Sequence, residues 1–142
     1  MMKVFIDTNV FLDYIQKRPE GWREAEVMFY LAIHGDIELV VSDLTIANMR
    51  YITRKDISLQ QFYSVMKGLR PYYRIVPLGG SVVDRAYLME SRDFEDALQY
   101  YAAEQAGVDC VVTRNLKDFD FDSAVETLEP HDFLSKYFPE EL

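Results

Sequence analysis

An apolar run, Val4-Phe5-Ile6, ends abruptly on Asp7-Thr8-Asn9. A buried strand has no packing use for a carboxylate at its end. In an open α/β sheet, ligands and ions bind outside the carboxyl ends of the strands, so Asp7 is the first candidate for chemistry. Its candidate partners lie far along the chain: Asp93, Asp96, Asn115 and Asp118. Asp93 and Asp96 are spaced to share one face at the start of a helix, where free N–H groups and the helix dipole favour acids. For Asp93 an N-cap role and a site role stand side by side, whereas Asp96 precedes Ala97-Leu98 and the small residues Ala102-Ala103 on a helix predicted to pack close to the sheet. Asn115 and Asp118 follow a second apolar run, Val111-Val112. A parallel sheet that set this run beside the first would bring Asp7, Asp96 and Asp118 together. Carboxylates gathered in one place repel one another unless protonated or bridged by a cation. An oxygen-only donor set suits Mg²⁺ or Mn²⁺ better than Zn²⁺. His34 and His131 lie away from these motifs, which disfavours zinc and a histidine general base. The chemistry this pattern supports is metal-assisted hydrolysis.

The elements that must position these acids alternate along the chain. Residues 2–6 read as a strand, followed by a short helix around residues 10–15, capped by Thr8 or Asn9 and ended near Pro19. Residues 20–33 are helical by the spacing of Trp22, Ala25, Met28 and Leu31. Leu39-Val40-Val41 is a second strand. Ser42-Asp43 opens a helix with Leu44, Ala47, Asn48 and Tyr51 along one side. A helix over 59–69 carries Phe62, Val65, Met66 and Leu69, and Pro71 ends it. Residues 74–76 form a third strand, and 81–89 and 94–106 form two further helices, the latter closed by Gly107. Residues 108–112 are a fourth strand, 123–127 a short fifth, and 130–137 a terminal helix. The stretch 43–70 reads as an insertion above the sheet edge. Short apolar strands alternating with helices predict an α/β fold with a mostly parallel sheet covered on both faces. No linker, repeat or low-complexity tract divides the chain, so residues 1–142 are expected to form one domain.

Composition narrows the function classes. The 142 residues are 49% hydrophobic and 27% charged, as in ordinary globular proteins. There is no apolar stretch long enough for a membrane span, and no signal-peptide pattern, since Asp7 and Asn9 interrupt the first apolar run. The lone Cys110 sits in an apolar run and reads as a small buried hydrophobe. A cytoplasmic setting is expected. The net charge of −9, from 15 basic and 24 acidic residues, argues against binding nucleic acid over the whole surface. It leaves room for one basic-rimmed groove and for a basic partner segment.

Three motifs together resemble the PIN domain: Ile6-Asp7-Thr8-Asn9-Val10 near the N-terminus, Asp96-Ala97 at a late helix, and Thr113-Arg114-Asn115-Leu116-Lys117-Asp118-Phe119 after the next strand. The resemblance extends over essentially the whole chain and is strongest to small prokaryotic PIN proteins, many of them ribonuclease toxins of toxin–antitoxin pairs. It implies a three-layer α/β/α sandwich around a sheet of about five strands in order 3-2-1-4-5. It also implies Mg²⁺- or Mn²⁺-dependent cleavage of single-stranded RNA, an antitoxin partner and a homodimer. Carried over residue by residue, Asp7, Asp96 and Asp118 match the catalytic, metal-holding acids. Asn9, Ser42, Thr113 and Asn115 match polar supporting positions. One departure matters: Asn48 stands where the family usually has a glutamate. Its amide can offer a neutral oxygen but no charge. Asp43 reads as a cap, which leaves Asp93 or Glu95 to compensate; Asp93 ranks ahead, because Glu95, next to Asp96, is expected to point elsewhere on the helix.

Arg50, Arg54 and Lys55, with Tyr51 among them, are candidate RNA contacts, cations for phosphates and an aromatic for a base. Arg114 beside the last motif is another. Lys67, Arg70 and Arg74, interleaved with Tyr72-Tyr73, are a weaker group. Trp22, Phe29 and Tyr30 read as core. Two rival functions stand beside the nuclease. One is a catalytically weakened PIN-fold protein that binds RNA or protein as a regulator, motivated by Asn48. The other is a phospho-acceptor domain, disfavoured because no basic residue stands where that chemistry needs one.

Overall fold

The computed structural model describes residues 1–119, 121 and 124–142. Five parallel strands, β1 (Met2–Ile6), β2 (Ile37–Ser42), β3 (Tyr73–Val76), β4 (Cys110–Val112) and β5 (Glu126–Leu128), form one sheet in the order β3-β2-β1-β4-β5. The helices are α1 (Thr8–Gln16), α2 (Trp22–Ile33), α3 (Asp43–Thr53), α4 (Leu59–Leu69), α5 (Gly79–Met89), α6 (Phe94–Ala106) and α7 (Pro130–Tyr137). They cover both faces, giving the expected α/β/α sandwich.

The inner strands β1, β2 and β4 are largely apolar on both sides because both sides are buried, whereas the edge strands β3 and β5 carry Arg74 and Glu126. Alternate residues serve opposite layers. Val4, Ile6, Leu39, Val41, Cys110 and Val112 pack with Phe11, Met28, Phe29 and Phe133 of α1, α2 and α7. Phe5, Val40 and Val111 pack with Val82, Ala97, Tyr100 and Ala103 of α5 and α6. Side chains of this kind each contribute about 1.5–3 kcal/mol on burial. The carboxyl half of the central strand β1 is fully covered: Val4, Phe5 and Ile6 have no exposed surface.

Several boundaries differ from the sequence reading. The second strand is longer and the fourth shorter, because hydrogen bonding to the neighbouring strand, rather than apolarity, sets their ends. The fifth strand is Glu126–Leu128; Ser123, where it was expected to start, lies outside the described residues. The stretch 43–70 is no insertion: α3 and α4 are the crossover from β2 to its parallel neighbour β3. On α3 the buried residues are Thr45, Met49 and Thr53, and Tyr51 is 66% exposed. The apolar pattern of α3 misled because its inner face is largely polar. Tyr30, expected in the core, is exposed and rests on His34.

Gly107 ends α6 in a left-handed conformation, φ 70°, and its N–H reaches back to the carbonyls of Ala103 and Glu104. That closure, which favours glycine, aims the chain into β4.

Candidate metal centre

Asp7 belongs to β1 and α1 at once. Its N–H still donates to the Val112 carbonyl of β4 at 3.0 Å. Its side chain already caps α1, Oδ1 accepting from the Thr8 N–H at 2.8 Å. Sequence reasoning placed the cap at Thr8 or Asn9; it falls on Asp7 because no residue separates strand from helix. Oδ2 accepts from the Thr113 hydroxyl at 3.0 Å. This contact follows from sheet order: Ile6 lies opposite Val112, so the residue after each strand meets the other. The site therefore stands where strand order reverses, at the carboxyl ends of β1 and β4.

The other acids come from α6 and the loop after β4. Asp93 caps α6, its Oδ1 accepting from the Asp96 N–H at 3.0 Å. Asp96, on the first turn, is buried and accepts from the Asn115 amide at 3.4 Å. Asn115 is positioned in turn by its N–H, which donates to the Thr113 hydroxyl oxygen at 3.0 Å. Asp118 ends a single 3₁₀ turn, Leu116–Asp118. Carboxylate oxygens of Asp93, Asp96 and Asp118 all lie within 4.8 Å of one another. Asp7, Asn9, Asp93, Glu95, Asp96 and Asn115 line one cavity.

These acids raise one another's proton affinity. Burial pushes the Asp96 carboxyl up to about 8, and the charges of Asp7, Asp93 and Asp118 add to it. Burial likewise pushes Asp7 up to about 6, against the opposing bonds from Thr113 and Thr8, with Glu95 and then Asp93 adding charge repulsion. Two carboxylates held near neutrality by burial and like charge gain from a cation, which removes the repulsion and discharges their protons. An all-oxygen set of this kind fits a hard divalent ion.

The remaining candidates fall into different places. The Asn9 amide oxygen accepts from Arg18 at 3.2 Å at the cavity wall. Ser42 does not face the acids. It caps α3, accepting from the Thr45 N–H at 3.3 Å, and donates to Gln99 at 2.6 Å. Gln99 is buried and also donates to Thr45 at 2.9 Å and to Thr8 at 3.3 Å. This network ties the starts of α1 and α3 to the helix that carries Asp96. Sequence reasoning missed it, although Gln99 stands one helical turn after Asp96, a spacing that places both on one face. Asn48 donates its amide to the Glu95 carboxylate, so Glu95 turns toward α3 and the cavity, contrary to expectation.

The basic residues are largely engaged. Arg114 makes a two-pronged ion pair with buried Asp13, at 2.5 and 2.9 Å. Arg50 donates to the Ile57 carbonyl and covers the Phe62 ring. Arg54 donates to the Tyr51 carbonyl and stacks on its ring. Lys55 is exposed.

Comparison with known proteins agrees with this fold. The chain is 27% identical over 140 residues to Ribonuclease VapC1 of Aquifex aeolicus (strain VF5), covering 95% of each. Among solved structures it resembles a chain of the DNA-bound VapBC of Salmonella typhimurium, with TM-score 0.68, 18% identity, and 92% and 99% of the two chains covered. It also resembles the sarcin–ricin-loop-cleaving toxin VapC20 of Mycobacterium tuberculosis, with TM-score 0.63, 12% identity, and 84% and 96% covered. These structural likenesses speak to the fold. The sequence model of the PIN domain matches residues 3–117, a span that runs from β1 through Asp7, Asp93, Asp96 and Asn115. The chain belongs to the PIN domain family.

Proposed function

We propose that this protein is a Mg²⁺- or Mn²⁺-dependent endoribonuclease that cleaves single-stranded RNA, acting as the toxin of a toxin–antitoxin pair in the cytoplasm. The observation that carries the reading is the meeting of Asp7, Asp93, Asp96 and Asp118 at the strand-order reversal, with the carboxyls of Asp7 and Asp96 raised by burial and by their neighbours. The identity to Ribonuclease VapC1 and the likeness to VapBC complexes support the substrate and the antitoxin partner. The net charge of −9 suits a basic antitoxin segment.

Asp7, Asp96 and Asp118 would hold the cation, with Asp93 beside them. When bound, the ion supplies Lewis-acid polarisation of the scissile phosphate and of the attacking water. Thr113 and the Thr8 N–H fix both oxygens of Asp7, so its carboxylate does not have to reorganise during the reaction. Asn115, anchored on Thr113, orients Asp96 through its amide and lines the cavity. Arg50, Arg54 and Arg114 are bound internally, which leaves exposed Lys55 the freest of the candidate phosphate contacts.

Cleavage of a mixed single-stranded RNA in Mg²⁺ or Mn²⁺ tests this. Asp7→Asn should cost roughly a hundredfold or more, the scale of losing one preorganised charge-stabilising group. Equal cleavage by variant and wild type, or none by wild type with either metal, would overturn the assignment. A homodimer is the assembly we propose, and sizing chromatography of the purified chain reads it directly.

A further inference from the structure

We propose that Glu95 is an additional carboxylate of the cation site, and that Asn48 is the positioning residue that holds it there. The inference rests on the metal-dependent reading above and adds a residue to it. Glu95 occupies the first turn of α6 beside Asp96, a neighbour relation that points consecutive side chains in different directions. Its side chain nevertheless reaches across to α3, where the Asn48 amide donates to its Oε1. It lines the same cavity as Asp7, Asp93 and Asp96.

That position needs an explanation. Glu95 is solvent-exposed, has three rotatable side-chain bonds and faces three other acids. Left alone, repulsion and side-chain entropy would swing it out to water. A neutral amide donor on the facing helix opposes that tendency without neutralising the charge, as an Arg or Lys at residue 48 would. The arrangement keeps a negative charge aimed at the cavity. It also uses the Asn48 N–H₂ group as a donor, so Asn48 acts on the cation through Glu95.

The experiment is Mn²⁺ binding to the purified full chain, read as free Mn²⁺ by electron paramagnetic resonance, with no activity measurement involved. Wild type, Glu95→Gln, Asn48→Ala, the double variant and Asp96→Asn are compared, each checked for the wild-type circular dichroism spectrum. Glu95→Gln should weaken Mn²⁺ binding roughly 10- to 100-fold, the range for loss of a supporting group around a metal. Asn48→Ala should weaken it in the same direction. The double variant should be no weaker than Glu95→Gln, because both changes remove one interaction. Wild-type affinity in Glu95→Gln, with binding lost in Asp96→Asn, would overturn the role of Glu95 and leave the metal site standing. Additive losses in the double variant would overturn the coupling of Asn48 to Glu95. Absence of Mn²⁺ binding in the wild type would overturn both this inference and the metal-dependent reading beneath it.

Discussion

Asp7 and Asp96 show how two identical side chains acquire different proton affinities from their surroundings. Asp7 receives two donors and rises to about 6; Asp96, with more acids facing it, rises to about 8. Both exceed the ordinary aspartate value of 3.8 that the unfolded chain would show. Between about pH 4 and pH 8 the folded protein therefore binds more protons than the unfolded chain, and stability falls as pH rises through that window. Thermal melts of the metal-free protein should show a midpoint that drops from mildly acidic to mildly alkaline buffer. Mn²⁺ should restore it at the alkaline end, since a ligand of the folded state stabilises by mass action. Asp96→Asn should flatten the drop, because the amide does not titrate. A midpoint that rises over the same range would contradict the assigned electrostatics. Cys110 lies at the other extreme: burial pushes its thiol up to about 12 and leaves it inert in the folded state.

At the scale of elements, the site depends on contacts between helix starts and strand ends. The ion pair of buried Asp13 on α1 with Arg114 after β4 ties these two segments beside the acids. Gly21 permits it: a Cβ there would stand 2.5 Å from Asp13 Oδ2 and 3.0 Å from Arg114 Cδ. Gly21→Ala should cost about 1–3 kcal/mol, the scale of overpacking a well-filled site, measured by urea unfolding. An unchanged midpoint would mean that Arg114 yields without loss. Gln99 plays the corresponding part between α1, α3 and α6. Gln99→Leu removes the acceptor of the buried Ser42 hydroxyl and one partner each of Thr8 and Thr45, which keep each other at 3.1 Å. Each buried polar group left unpaired costs about 1–3 kcal/mol. The same measurement should show a loss within that range, and a neutral result would show that the Ser42 hydroxyl finds another partner.

At the scale of the whole molecule, two helical layers share one sheet whose central strand is buried on both faces. Phe5 serves one layer while Val4 and Ile6 serve the other. Neither layer can lose its packing without exposing the back of β1 to water. We propose that residues 1–142 fold as a single cooperative unit. Phe11→Ala in one layer and Tyr100→Ala in the other should each lower the midpoint by the same amount whether read by near-ultraviolet or far-ultraviolet circular dichroism. Two separable transitions would show that the layers melt independently. No helix among the described residues is long and apolar enough to cross a membrane.

The amino-acid sequence by itself determined a great deal. Breakers and a cap marked α4 and α6: Pro71 follows the first, and the second opens on Asp93, which accepts from its own first turn, and closes on Gly107. Such signals are local, and local chemistry is what a sequence displays. The doubly apolar strands determined a covered parallel sheet. The acids were visible as residues that packing did not require. Only the tertiary structure decided which of them meet. Asp7 and Thr113 touch because β1 and β4 are neighbours, a pairing that no local pattern encodes. Ser42 turned inward to Gln99 and Arg114 turned to Asp13 because buried polar groups take the nearest partner. Asn48 and Glu95, neither of them buried, met because the fold brings α3 to the first turn of α6. Side-chain direction at a crossing of two helices depends on what the facing helix offers, and that exists only once both are in place.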